Sequence, residues 1–187
     1  MGIGPAKLVK AGFVVLDTTT GAVLKIVVFQ YNPETLVRRL EAGAVPAPPL
    51  PPFVSAPHET VSFTVAVDAA DKLEAGDAAT QQNGVYPALS ALELLMYPTP
   101  GTLTVWVSGS KRVEPVRITE MQIAEQAFDS ALNPIRVEAL VTLQVLKDAD
   151  LANNPRGKAL WDAHFNILQQ LARLDAGTLA AMGITGI

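Results

Sequence analysis

The stretch Pro134-Ile-Arg-Val-Glu-Ala-Leu-Val-Thr-Leu-Gln-Val-Leu146 alternates between two sets of side chains along most of its length. Successive side chains of a β-strand point to opposite faces of the sheet, so every second residue shares a face. One face of this stretch is apolar throughout and carries Ile135, Val137, Ala139, Val141, Leu143 and Val145. The pattern predicts a half-buried strand of an antiparallel sheet.

Five other segments have strand features and are separated by turn residues. They are residues 11–16, 22–29, 59–68, 102–108 and 112–124. Pro33 follows the second of them and ends it, because proline has no N–H for a sheet ladder. The chain is therefore expected to contain five to seven antiparallel strands.

Two segments have the spacing of amphipathic helices. Residues 87–97 begin with a proline, which suits the first turn of a helix, and residues 157–175 place apolar side chains on one side. The polar residues 69–84 are expected to form a loop. The predicted fold is mainly β, a β-rich α+β barrel or sandwich with one inserted helix and a C-terminal helix.

The chain divides into two parts by composition. Residues 1–150 are expected to form the β-domain, and residues 151–187 a C-terminal helical extension that ends in a small, apolar and extended tail. Residues 41–57 contain six prolines, which favour extended geometry and exclude a sheet interior. We expect this arm to lie over a neighbouring subunit; the alternative is a PxxP ligand for a recognition domain.

The composition bears on partners. Hydrophobic residues make up 49% of the 187 residues and charged residues 17%, against about 25% charged in a typical soluble domain. Surplus apolar surface indicates an interface, although an alanine-rich genome gives the same composition. The net charge is −4, and the cluster Lys111-Arg112 with Arg117 is too small to follow a phosphate backbone. No nucleic acid is expected as a partner.

Few residues are suited to catalysis or metal binding. The chain has no cysteine and two histidines, His58 and His164, neither of which has a second ligand at metal spacing. The four acidic residues between Asp68 and Asp77 offer oxygens to Ca²⁺, but the spacing is not that of an EF-hand and favours a solvated loop. Nucleotide-binding and hydrolase motifs are absent. We therefore predict no enzymatic activity, no metal and no cofactor.

No apolar run reaches the roughly 18 residues that a membrane-spanning helix needs, and the N-terminus lacks a signal-peptide pattern. We expect synthesis and assembly in the cytoplasm, with no direct insertion into a membrane. The resulting particle is expected to act at or outside the cell envelope.

Three stretches, in this order, resemble the tube-protein domain of contractile injection systems, which are phage-tail-like machines. Phe29-Gln-Tyr-Asn-Pro-Glu-Thr-Leu36 is similar to the family pattern F-x-[FY]-N-P-x-x-L. Residues 59–71 resemble a strand that leads into a D-A-x-D turn. Residues 128–143 are similar to a hairpin with the pattern F-x-x-x-G-x-P-[IV]-R-A. Trp106-Val-Ser-Gly109 loosely fits a further strand end, and the match covers about residues 10–147.

The resemblance implies a structural role. The chain would be a tube-type baseplate adaptor that joins the inner tube to the spike hub, as part of a ring expected to be a hexamer. Its partners would be further copies of itself, the inner tube protein, the spike hub and other baseplate subunits. The LysM module that often accompanies this domain is missing. The alternatives are a cap or terminator of the inner tube and, in a different class, a monomeric ligand-binding β-barrel.

The resemblance also assigns structural tasks to residues. Asn32 and Pro33 would end a strand and set a corner, and Asn133 would replace the family's turn glycine beside Pro134. Arg136 would pair with Asp68 or Glu138 near the subunit seam. The full set of structural and interface candidates is Phe29, Tyr31, Asn32, Pro33, Leu36, Asp68, Asp71, Trp106, Asn133, Pro134, Arg136, Trp161 and Phe165.

Overall fold

Seven antiparallel strands form one sheet in the computed structural model, which describes residues 8–43, 57–175, 177 and 181. The strands are β1 (Gly12–Asp17), β2 (Val23–Val28), β3 (Leu36–Glu41), β4 (His58–Asp68), β5 (Thr102–Val107), β6 (Val113–Phe128) and β7 (Pro134–Val145). Their order across the sheet is β2-β1-β5-β6-β7-β4-β3. The predicted mainly β, antiparallel fold is confirmed.

Four α-helices accompany the sheet. They are α1 (Ala70–Glu74), α2 (Ala78–Asn83), α3 (Tyr86–Glu93), which continues into a 3₁₀ turn at Leu94–Met96, and α4 (Pro155–Leu174). The predicted helices near residues 87–97 and 157–175 are thus present. Both begin with a proline in the first turn, and Asn154 caps α4 by accepting a hydrogen bond from the N–H of Gly157.

The prediction of a loop at residues 69–84 was wrong, and the insert between β4 and β5 holds three helices instead of one. Helix α2 is capped by an aspartate, Asp77. Asp77 accepts hydrogen bonds from the N–H and the hydroxyl of Thr80 at 2.8 and 2.6 Å. The Thr80 hydroxyl, with its N–H, holds the pKa of Asp77 below its usual range. Helix α1 has no side-chain cap, although Asp68, at the end of β4, accepts a hydrogen bond from the N–H of Ala70 at 2.8 Å.

Strand β3 was not predicted from the sequence. It pairs with β4 from Leu36 to Glu41, immediately before the proline-rich arm. Of the predicted arm, residues 44–56 lie outside the described part of the chain, as do most of residues 177–187.

The turn between β6 and β7 differs from the expectation. The residue with a left-handed backbone is Leu132, with φ of 63°, and not Asn133. Leu132 occupies the place of the glycine in the pattern F-x-x-x-G-x-P. Asp129 stabilises the turn by accepting hydrogen bonds from the N–H groups of Ala131 and Asn133 at 2.8 Å each and from the Asn133 side chain at 2.9 Å.

The sheet is rolled, so that distant strands meet. β1 and β4 are four positions apart in the sheet, which would separate them by about 19 Å if the sheet were flat. The rings of Phe13 on β1 and Phe63 on β4 nevertheless lie 6.3 Å apart, and Phe63 stacks on Trp106 at 5.3 Å. Phe29 contacts both phenylalanine rings. These four aromatic side chains fill the centre of the rolled sheet.

The two edge strands, β2 and β3, do not pair with each other, and a side chain joins the sheet at this seam. The amide of Gln30 donates to the carbonyl of Asp68 and accepts from its N–H, both at 2.9 Å. It therefore takes the place of a neighbouring strand at the end of β4. Helix α3 covers the rest of the seam, where Lys25 donates to the carbonyl of Ala91 at 2.9 Å.

Candidate assembly surfaces

Strand β2 presents an apolar outer face at an open edge. Leu24, Ile26 and Val28 are 55, 60 and 61% exposed. Among the described strands, β2 pairs with β1 alone. Natural edge strands are commonly protected by outward charges, prolines or bulges. Strand β2 has a register irregularity at Leu24 and is partly covered by α3, to which its one charged residue, Lys25, donates a hydrogen bond, but its outer face carries no charged side chain.

The opposite edge, β3, is protected by charge. Arg38 forms an ion pair with buried Glu59 at 2.6 Å, and Arg39 pairs with Glu41 at 2.7 Å. Only Val37 and Leu40 are large, exposed apolar residues on this strand. Of the two edges, β2 is therefore the one suited to an apolar contact.

The outer face of β4 and β7 is mostly polar. Ser62 and Thr142 lie opposite each other, with their hydroxyl oxygens 3.1 Å apart, and Thr64 and Gln144 share this face. Leu140 is the large apolar residue exposed here, at 44%. This surface is suited to contact with water.

Five of the predicted candidates line one depression of about 560 Å³ at the end of this polar face: Tyr31, Asn32, Pro33, Asp68 and Arg136. Arg136 lies opposite Asp68 in the β4–β7 ladder, but its guanidinium pairs with Glu138, at 3.2 Å. Both partners of that pair are at least 40% exposed, so the pair adds little to stability.

Asn32 ties the segment after β2 to the start of β1. Its side chain accepts a hydrogen bond from the N–H of Ala11 at 2.9 Å and donates to the carbonyl of Val9 at 2.8 Å. We expect Asn32→Ala to lower the free energy of unfolding by about 1–2 kcal/mol, because both backbone groups lose their partner. Urea denaturation measures this loss, and Glu34→Ala, at an exposed neighbour, is the control. Equal stabilities of the two variants would contradict the assigned role.

The other candidates are dispersed. Phe29 and Trp106 are buried in the core, and Leu36 is half-buried against it. Asp71 is exposed on α1, away from the depression. Pro134 is buried, and its carbonyl accepts from the N–H of Val85 at 2.9 Å. The side chain of Asn133 donates to the carbonyl of Gln82 at 3.3 Å. The β6–β7 turn thus supports the helical insert.

Helix α4 docks on the sheet through its first half. Trp161 is buried in the core cluster of the sheet, and the ammonium of Lys147 lies 5.3 Å from the centre of its indole ring. Burial lowers the pKa of Lys147. Phe165 stacks on Trp161 with ring centres 6.0 Å apart but is 47% exposed. The two predicted α4 residues therefore differ, one in the core and one on the surface.

A buried pair lies where α4 meets β6. His164 Nε2 is 2.9 Å from Glu114 Oε1, and the two side chains are 2 and 0% exposed. The two atoms lie within ion-pair distance, but the ring nitrogens of His164 and the carboxylate oxygens of Glu114 make no hydrogen bond with the described residues. Arg112 Nε lies 3.7 Å from the same carboxylate oxygen.

Three features of these surfaces were not foreseen. They are the Gln30 bridge, the outward apolar face of β2 and the pair of Glu114 with His164. Glu114 and His164 are fifty residues apart in the sequence, so no local motif could have predicted that they are in contact. The apolar run at residues 26–29 could have indicated that both faces of β2 are apolar, which is unusual for an antiparallel edge strand.

Within residues 8–43 and 57–175 there is no group of three or more His, Asp or Glu side chains that could hold a metal ion. None of the described helices is both long enough and apolar enough to cross a bilayer. No protein-family model matches this chain, and no curated protein matches it.

Proposed function

We propose that this chain is a non-enzymatic structural subunit that works as part of a ring, as a tube-type baseplate adaptor between the inner tube and the spike hub of a contractile injection machine. The observation that carries the proposal is the apolar outer face of the edge strand β2, with three exposed side chains. The resemblance of residues 29–36, 59–71 and 128–143 to the tube-domain family is the reason for assigning this ring to a contractile injection machine.

The β2 face supports self-assembly on energetic grounds. Leaving Leu24, Ile26 and Val28 in water forgoes about 25 cal/mol for each Å² of apolar area. The two sheet edges are unlike, one apolar and one charged, so β2 is poorly matched to β3 of a neighbour. A contact between two different surfaces of identical subunits closes into a ring when the rotation allows it.

The polar face of β4 and β7 is consistent with a ring around a water-filled channel. Ser62, Thr64 and Thr142 present hydroxyl groups there, whereas the apolar outer face of β2 lies at the opposite edge of the sheet. Val37 of β3, which pairs with Ser62, is an exposed apolar residue beside these hydroxyl groups. A cap or terminator of the inner tube is the alternative within this class and uses the same contacts. Electron microscopy of whole particles that carry a tagged chain separates the two positions.

A monomeric ligand-binding barrel is disfavoured by the interior. Phe13, Phe63 and Trp106 are each at most 2% exposed and stack through the centre of the sheet, where such a barrel holds its ligand.

Ring assembly is expected to be lost in Ile26→Lys and retained in Val37→Lys. The two residues are equally exposed, at 60%, but lie on opposite edges of the sheet. Lysine on the apolar β2 face places a charge in the contact, whereas on the charged β3 edge it adds to existing charge. Mass photometry and negative-stain microscopy measure the oligomer, and circular dichroism checks that both variants remain folded.

A wild-type protein that stays monomeric at high concentration would refute the proposed role. Rings that form equally well from both variants would show that β2 is not the contact.

A further inference from the structure

An apolar groove runs along the open edge of β2. It has a volume of about 170 Å³ and lies between β2 and α3, with Ile26 and Val28 on one side and Ala88 and Ala91 on the other. Because alanine side chains are small, Ala88 and Ala91 leave room beside α3 for a side chain from another element. The groove continues onto the exposed apolar face of β2, because Ile26 and Val28 belong to both.

Helix α4 carries an apolar stripe that the described part of its own subunit leaves exposed. Its docked residues are Trp161 and His164. Leu168 lies seven residues after Trp161, and Leu171 lies seven residues after His164. Seven residues are about two helical turns, so the stripe continues the docked face. Phe165, Leu168 and Leu171 are nevertheless 47, 37 and 39% exposed. The docked face therefore runs on past the sheet that it contacts.

We propose that the second half of α4, residues 165–174, docks into the β2–α3 groove of a neighbouring copy. This inference rests on the ring of the proposed function and names the two surfaces that form its contact. The first half of the helix would pack on its own sheet and the second half on the next subunit. The contact joins two different surfaces of the same chain, so it repeats around a ring.

Both surfaces are exposed in the described part of one subunit. The first half of α4 is fixed by buried Gly157, Trp161 and His164, which sets the direction of the second half. In that position both the stripe and the groove are open. A second copy is therefore the occupant that offers matching shape and polarity without moving α4.

Charge is compatible with this pairing. Glu93 is exposed at the end of α3, beside Leu92 of the groove. Arg173 is exposed in the last turn of α4 and forms no ion pair with any described residue. The second half of α4 thus brings a free cation, and α3 offers an exposed carboxylate.

The area indicates a contact that is weak alone. The exposed fractions of the stripe and of β2 correspond to about 300–400 Å² on each side, roughly half of the about 800 Å² per partner of a standard interface. A single pair of subunits should therefore associate weakly, and closure of the ring, which gives every subunit two such contacts, should stabilise the assembly cooperatively.

The absence of native cysteine allows a direct test. Ile26→Cys protein, labelled with a heavy isotope, is mixed with unlabelled Leu168→Cys protein under ring-forming conditions and treated with a short bis-maleimide linker. The control replaces Leu168→Cys with Gln170→Cys, which is exposed and lies about 200° around the helix. We expect the mixed-isotope product from Leu168→Cys to exceed the control product at least about tenfold, because docking raises the effective concentration of the two thiols.

Equal yields from Leu168→Cys and Gln170→Cys, in protein that forms rings, would overturn this inference and leave the proposed ring intact. A cross-link within one chain of the Ile26→Cys/Leu168→Cys double variant, with none between chains, would also overturn it. A wild-type protein that never forms rings would overturn both.

Discussion

Replacing Trp106 with alanine is expected to lower the free energy of unfolding by about 3–5 kcal/mol, the range for large-to-small changes of buried aromatic residues. Trp106 is 0% exposed and stacks on Phe63 at 5.3 Å, and it lies opposite Phe13 in the β1–β5 ladder. Its removal would leave a cavity at the point where strands from the two ends of the sheet meet. The rolled shape, and not only one strand, depends on this ring.

Denaturant titration followed by circular dichroism measures this loss. Phe165→Ala is the matched control, because it removes an aromatic ring that is 47% exposed. The control should lower the unfolding free energy of the isolated subunit by about 1 kcal/mol, because it loses a half-exposed ring that stacks on Trp161. If the two variants were destabilised to the same extent, the proposed role of Trp106 at the centre of the roll would be untenable.

The second large effect is expected from His164→Leu, at about 3 kcal/mol. The substitution leaves the carboxylate of Glu114 fully buried without its nearest polar partner. A buried polar group that loses its partner costs about 1–3 kcal/mol, and more when it carries a charge. Arg112, which still lies 3.7 Å from the same oxygen, keeps the loss from being larger. The junction between α4 and β6 is where the loss should appear.

The double variant Glu114→Leu/His164→Leu provides the control. Well-packed apolar residues often replace a buried pair at little net cost, so the double variant should recover most of the stability. Thermal and urea unfolding of the wild type, Glu114→Leu, His164→Leu and the double variant gives the coupling energy between the two residues. Additive losses would show that Glu114 and His164 do not act together.

Alternation predicted the central strands well, because each of them buries one face. In β4 and β7, buried and more exposed residues alternate for most of their length, as the sequence pattern requires. Strand β3 shows no such pattern. Its sequence Leu-Val-Arg-Arg-Leu-Glu is mostly exposed, and its pairing with β4 holds it in place. A strand that is held in place mainly by pairing with its neighbour need not show an alternating apolar pattern in its own sequence.

The short helices α1 and α2 were missed for a related reason. They have five and six residues, too few for a periodic apolar stripe. Asp77, which caps α2, was read as part of a solvated acidic loop. Capping by Asp77 becomes visible only when the Thr80 three residues later is taken as its partner.

The candidate surfaces were partly predictable. The strand-end motif placed Tyr31, Asn32 and Pro33 beside one another in sequence, and the structure adds Asp68 and Arg136 to the same depression. The exposed face of β2 was not predictable, since an apolar run at residues 26–29 does not show which side faces water. That choice depends on the roll of the whole sheet.

The bridge at Gln30 has a mechanical consequence. A ladder between two strands yields one rung at a time, whereas this join consists of one amide that makes two hydrogen bonds to a single residue, Asp68. Because one side chain makes both hydrogen bonds, we expect this join to be either fully formed or fully broken. If a neighbouring subunit pulls on β2, the β1–β2 ladder and the Gln30 join would share the load, and we expect the join to release in one step.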